Sequence, residues 1–143
     1  MIISDDLASA YRNTRYCVRR PQGEIALRVD EQSAPVDALL RAAGRQTWVF
    51  ITADNPGLVA DATGNPARRA RLLTDVQELG LPWFTGYSLA DDASWPAEES
   101  LLVMGLTEED GKALGRKYGQ IAVLAGTLGG PARLVPCDTA ASP

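Results

Sequence analysis

The chain has no histidine. That absence removes Ser-His-Asp and Cys-His catalysis, the histidine-containing zinc sites and the usual proton shuttle at neutral pH. Cysteine is scarce: Cys17 and Cys137 cannot build a four-cysteine zinc site. They stand far apart in segments that read as strands or strand ends, so buried reduced thiols are expected rather than a disulfide. Lysine is nearly absent as well, with Lys112 and Lys117 against twelve arginines. An acid or base must then be Asp, Glu, Tyr, Cys or one of those lysines, while arginine acts through fixed charge and forked hydrogen bonds. The formal net charge of -4 argues against a general nucleic-acid binder. No apolar run reaches bilayer length, and the first residues lack the basic start and apolar centre of a secretory signal. A cytoplasmic protein without membrane contact is expected.

With 143 residues, 45% hydrophobic and 22% charged, the composition is that of one globular domain, without repeats or linkers. The spacing predicts a domain over 4–136 and a frayed tail over 137–143. Ser4 is placed to cap a helix through Arg12, with Asp5 and Asp6 in its first turn and Leu7, Ala10 and Tyr11 on one side. Alternation over 14–19 and 25–29, joined by Pro21-Gln22-Gly23, predicts an antiparallel hairpin. Its second face carries Arg15, Arg19 and Arg28, read as solvated and screened by Glu24. A helix from Ser33-Ala34-Pro35 to Ala43 stops at Gly44.

The stretch Phe50–Arg71 is the most informative. Thr47–Thr52 is too continuously apolar for a half-exposed strand and reads as interior. Asp54-Asn55-Pro56-Gly57 is a turn, and Asn65 is placed to cap a helix with the stripe Leu72, Leu73, Val76, Leu79 and a stop at Gly80. Helical spacing puts Asn65 and Arg69 on the side of that stripe, Arg68 near its edge and Arg71 away. An inward arginine needs a negative partner, either a bound anion or a carboxylate such as Asp54, Glu98 or Glu99. The helix start has no acid in its first turn, which favours an anion there. The helix after Thr107 differs, since Glu108, Glu109 and Asp110 already meet its N-terminal potential.

Strands follow over 81–87 and 101–104. Glu98 and Glu99 enter the second strand and, as neighbours, point to opposite faces, so one of them faces any given site. A carboxylate metal site from these acids lacks a third ligand. Gly126-Thr127-Leu128-Gly129-Gly130 lacks the Gly-Lys-Ser/Thr ending of a phosphate loop and reads as a hairpin turn. The element order implies an α/β, mixed α+β, single domain with a mixed sheet of about six or seven strands flanked by about four helices.

Tyr11-x-x-Thr14-x-Tyr16, Ile51-Thr52-Ala53-x-Asn55-Pro56, Asn65-x-x-Arg68-x-x-x-Leu72, Trp95-Pro96 with Glu99-Ser100, and Tyr118-Gly119-Gln120-x-Ala122 together resemble, in order, the bacterial DUF3293 family. The resemblance implies a small single-domain bacterial protein and singles out Asn55, Asn65, Arg68, Glu99 and Gln120. Asp54 and Ile121 depart from the pattern it leads one to expect.

Two readings follow. In one, the loop and helix start 53–69 bind a small anion such as a nucleotide or phosphate ester. Arg68 and Arg69 then neutralise it, Asn55, Asn65 and Gln120 orient it, and Glu99 is the candidate base or acid. In the other, the same residues form an internal Arg-carboxylate network in a non-catalytic regulatory or protein-interaction module. The sequence specifies no metal, cofactor or protein partner.

Overall fold

The computed structural model describes residues 3–137. The tail expected over 137–143 lies outside those residues except for Cys137, which is buried. Four α-helices, α1 (Asp5–Arg12), α2 (Ala34–Ala43), α3 (Asn65–Glu78) and α4 (Glu108–Lys117), accompany seven strands. The strands are β1 (Thr14–Val18), β2 (Ile25–Leu27), β3 (Thr47–Thr52), β4 (Trp83–Ala90), β5 (Glu98–Met104), β6 (Ala122–Thr127) and β7 (Arg133–Pro136).

They form one sheet in the order β2-β1-β4-β5-β3-β6-β7. The α+β class, the single domain and the element numbers agree with the expectation from sequence. In strand direction the sheet is antiparallel throughout rather than mixed. The topology explains the difference. The connection through α3 returns the chain to β4, which runs in the same direction as β3, but β5 lies between them and pairs antiparallel with both. The connection through α4 likewise joins β5 to β6 with β3 inserted between. Helical crossovers and antiparallel ladders thus coexist in one sheet.

β3 explains the two-sided burial. Trp48 and Phe50 enter a cluster with Val36 and Leu40 of α2, whereas Val49 and Ile51 enter the opposite cluster with Leu72 and Val76 of α3. Helices cover both faces, and both sides of this interior strand are consequently apolar. Tyr16 and Phe50 meet edge-to-face on the first side, with ring centroids 5.7 Å apart. The cysteines are both free and buried.

Local chemistry sets the helix ends. Ser4 and Ser33 accept from the amides of Leu7 and Val36, and Gly44 closes α2 in the left-handed region at φ 66°. Thr107 and Asp110 form a reciprocal capping box on α4. Asn65 departs from its expected capping role. It is already the first helical residue, because its amide donates to the Asp61 carbonyl and Gly64 has helical dihedrals. Leu79 also departs from the inward stripe: the helix ends at Glu78, and Leu79 is exposed.

Candidate functional site

Every residue singled out over 53–69 is engaged within the chain. Asp54 is fully buried just beyond β3. Its carboxylate accepts from Arg69 Nε at 2.8 Å, from Arg69 Nη2 at 2.7 Å and from the Glu99 amide at 3.0 Å. This paired fork is the strong form of an Arg-carboxylate contact. Arg68 donates from Nε to the Ala53 carbonyl at 3.1 Å, and its Nη1 pairs with Asp61 Oδ2 at 3.1 Å. The negative charge that helix geometry required is therefore supplied by Asp54 and by Asp61. The second of these lies in the loop and was not among the acids foreseen as partners.

The two asparagines lock the loop to the helix start. Asn65 Oδ1 accepts from the Asn55 amide, while Asn65 Nδ2 donates to Asn55 Oδ1, each at 2.9 Å. Asn55 Oδ1 also accepts from the Asp61 amide. Asn55 sits in the left-handed region at φ 52°, which asparagine tolerates better than most residues. Gln120 donates from Nε2 to the carbonyls of Asp54 and Tyr118, tying the start of the last hairpin to the same loop.

Glu98 and Glu99 separate as strand alternation requires. Glu99 lies against Arg19, whose Nη1 and Nη2 donate to its two oxygens at 2.9 and 2.8 Å, with the guanidinium over the Tyr87 ring. Glu98 shares the face of Ser100 and Leu102 and has no cationic partner among the described residues. Its Oε2 accepts from Asn55 Nδ2 at 2.9 Å and Trp95 Nε1 at 3.0 Å. Burial pushes the Glu98 carboxyl above the usual carboxylate range; the donors from Trp95 and Asn55 oppose that shift, and the charge of Asp54 adds to it.

Glu98 lines a cavity of about 360 Å³ beneath α1 and the 91–97 loop. Its volume lies in the range of small-molecule sites. Tyr11, Tyr16, Phe50 and Trp95 give it aromatic walls, with Ser100 and Gln120 as further polar groups. Burial raises the phenols of Tyr11 and Tyr16 far above their ordinary range, so both remain neutral hydroxyls. The lining contains Asp92 and Glu98 but no lysine or arginine. A second, shallower depression of about 490 Å³ lies between α3 and α4, with Arg68, Arg71, Lys117 and Tyr118 around Asp75. Lys117 and the Tyr118 hydroxyl both donate to Asp75, holding its carboxyl below the usual range. Among the described residues no group of acids, cysteines and histidines suits a metal ion, and no helix is long and apolar enough to cross a membrane.

The structure brings Asn55, Asn65, Arg68, Arg69 and Gln120 to one place; Glu99, the candidate acid or base from sequence, lies against Arg19, and Glu98, considered there as an arginine partner, faces the cavity. Parity puts Glu98 on the strand face of Ser100 and Glu99 on the other; which face carries the cavity depends on where α1 packs. Tyr11, Tyr16, Trp95, Ser100 and Gln120, scattered over the sequence motifs, converge on the same cavity.

Neither the curated proteins nor the solved structures contain a match to this chain. The profile of the family described as "Protein of unknown function (DUF3293)" matches residues 51–123, a span that runs from β3 through the Asn55–Asn65 lock, Trp95 and Glu98 to Gln120, and the chain belongs to that family.

Proposed function

We propose that the protein binds a small, largely apolar molecule in the cavity beneath α1, with Glu98 as its polar anchor. The observation that carries this reading is a carboxylate in an aromatic cavity whose lining holds no cation. Oε2 is occupied by two neutral donors, and Oε1 receives no hydrogen bond from the described residues. A ligand that donates a hydrogen bond to Glu98 meets a half-buried acceptor already oriented by Asn55 and Trp95. Should chemistry follow binding, Glu98 is the group able to take up or release a proton near its raised pKa.

An anionic ligand at 53–69 would have to displace Asp54 from Arg69 and Asp61 from Arg68, contacts already made within the chain. A second reading keeps an anion but moves it to the groove between α3 and α4, where Arg71 has no direct ion pair among the described residues. The internal Arg-carboxylate network also fits a regulatory or interaction module, in which the cavity would be incidental.

An NMR fragment screen on isotope-labelled protein tests these readings together. Fragments in the cavity are expected to shift the Trp95 indole N–H and the side-chain amides of Asn55 and Gln120. Inorganic phosphate shifting only Arg71 and Lys117 would move the site to the groove. A screen that perturbs none of these groups would overturn small-molecule binding and leave the interaction module.

A further inference from the structure

Four acids near the cavity are paired with arginine, whereas the two that line it, Glu98 and Asp92, have no ion pair among the described residues. Asp54 is answered by Arg69, Asp61 by Arg68, Asp91 by Arg28 and Glu99 by Arg19. Each of these carboxylates meets its own guanidinium within the chain. Glu98 lies near them, is more enclosed than Asp61 or Asp91, and among the described residues is met only by an amide and an indole N–H. A partly buried carboxylate without a countercharge is costly, and neutral donors offset only part of that cost.

The walls around Glu98 supply the complementary half of a cation site. The Trp95 indole is fixed against the carboxylate by its own N–H bond, Tyr11 closes the α1 side, and Tyr16 and Phe50 form the floor. Four of the chain's nine aromatic residues line this one cavity. Aromatic faces attract a positive charge through the ring quadrupole while remaining apolar enough for an alkyl or aryl body. Asp92 at the rim adds negative charge, and no lysine or arginine in the lining opposes it.

From this juxtaposition of an unanswered carboxylate and aromatic walls, we infer that the ligand of the cavity is an organic ammonium ion, an amine with an aromatic or alkyl body. The inference rests on the binding role given to the cavity above and names its ligand class. The ammonium takes the place that arginine holds beside those four acids, donating to the open Oε1 of Glu98. Its hydrocarbon body lies between Trp95 and Tyr11. A carboxylate or phosphate ligand meets repulsion from Glu98 and Asp92, and an uncharged ligand of the same shape leaves the Glu98 charge unanswered.

Titration calorimetry with four probes of matched shape tests this: benzylamine, trimethylbenzylammonium, benzyl alcohol and benzoate. The two ammonium ions are expected to bind at least about tenfold more tightly than benzyl alcohol, the equivalent of about 1.4 kcal/mol, and benzoate not at all. Glu98→Gln keeps an acceptor for Asn55 and Trp95 and is expected to weaken benzylamine at least about tenfold while weakening benzyl alcohol far less, so that the preference for the ammonium is lost. Trp95→Leu is expected to weaken trimethylbenzylammonium more than benzyl alcohol. The variants' circular dichroism and unfolding curves establish that they fold. Equal binding of benzyl alcohol and benzylamine, insensitive to Glu98→Gln, would overturn the ammonium class while leaving the cavity a binding site. Preference for benzoate, or no heat from any probe at about millimolar concentration, would overturn both.

Discussion

Asp54, fully buried past the end of β3, receives two parallel hydrogen bonds from Arg69 in the first turns of α3. The pair joins the interior strand to the helix that covers it, and the same carboxylate accepts the Glu99 amide at the start of β5. Three elements are thereby fixed at one charged atom pair, close behind the wall that presents Glu98.

Removing Arg69 leaves Asp54 buried with one backbone donor. Arg69→Ala is expected to destabilise the protein by about 2–3 kcal/mol, less than the about 3–5 kcal/mol of a fully buried pair because the Arg69 side chain is 39% exposed. Asp54→Asn in the Arg69→Ala background should recover part of the loss, because it removes the stranded charge. Urea unfolding of the two single variants and the double variant measures the coupling. Additive losses would mean that the pair contributes nothing as a pair.

Glu98 predicts an unusual pH dependence of stability. Its folded pKa is raised, so the folded state holds this proton more tightly than the unfolded chain. The resulting contribution is fully present below the unfolded pKa and is lost as pH rises through the folded pKa. The groups facing it are Tyr11 from α1 and Tyr16 from β1, both neutral in this range, and Asp54 beyond β3, whose charge adds to the upward shift. Glu98→Gln lacks this titration. The stability of the variant relative to wild type should therefore rise with pH across that window, as read by unfolding curves collected from pH 4 upward. A difference independent of pH would show that the carboxyl is not perturbed.

Asp75 predicts the opposite sign at the groove. Hydrogen bonds from Lys117 first, and then from Tyr118, hold its carboxyl below the ordinary range. Its contribution to stability is present above the unfolded pKa and lost as pH falls through the folded pKa. Lys117→Met should raise the Asp75 pKa toward its ordinary value, measured by carboxyl carbon NMR titration, and flatten the acid limb of stability. Because Lys117 is 59% exposed, the effect on stability at neutral pH should stay within about 1 kcal/mol.

How much of this was legible in the sequence depended on the range of the interaction involved. The caps at Ser4, Ser33 and Thr107, the stop at Gly44 and the interior character of β3 follow from local chemistry and from apolarity on both strand faces, and each stands where it was expected. Helical periodicity turned Arg71 outward, as found, but set Arg69 further inward than Arg68, whereas Arg68 is the more buried side chain, 17% exposed against 39%. It could not say that the anion for Arg68 is Asp61, because that contact depends on how the 59–64 loop folds back over the helix start. Strand parity established that Glu98 and Glu99 face opposite ways. Which of them enters a cavity depends on where α1 packs, a long-range choice that leaves no trace beside either residue. The strand order was illegible for the same reason, since the insertions of β5 and β3 between crossover partners are made across the whole sheet.

Asn55 couples backbone conformation to the cavity, and two substitutions separate its roles. Its φ of 52° costs most residues about 1 kcal/mol or more, while its side chain bonds the Asp61 amide, Asn65 and Glu98. Asn55→Gly keeps the backbone freedom and loses the side-chain bonds, whereas Asn55→Ala loses both. The alanine variant should consequently be less stable than the glycine variant by about 1 kcal/mol, minus the entropy that glycine adds to the unfolded chain. Both variants remove one of the two donors on Glu98 Oε2, so the Glu98 pKa should climb further above the carboxylate range in each, by a similar amount. Carboxyl NMR titration of Glu98 alongside urea unfolding separates the two effects. A common pKa shift with unequal stability fits a residue that shapes the turn with its backbone and orients Glu98 with its amide. An unchanged Glu98 titration would leave Asn55 with the turn alone.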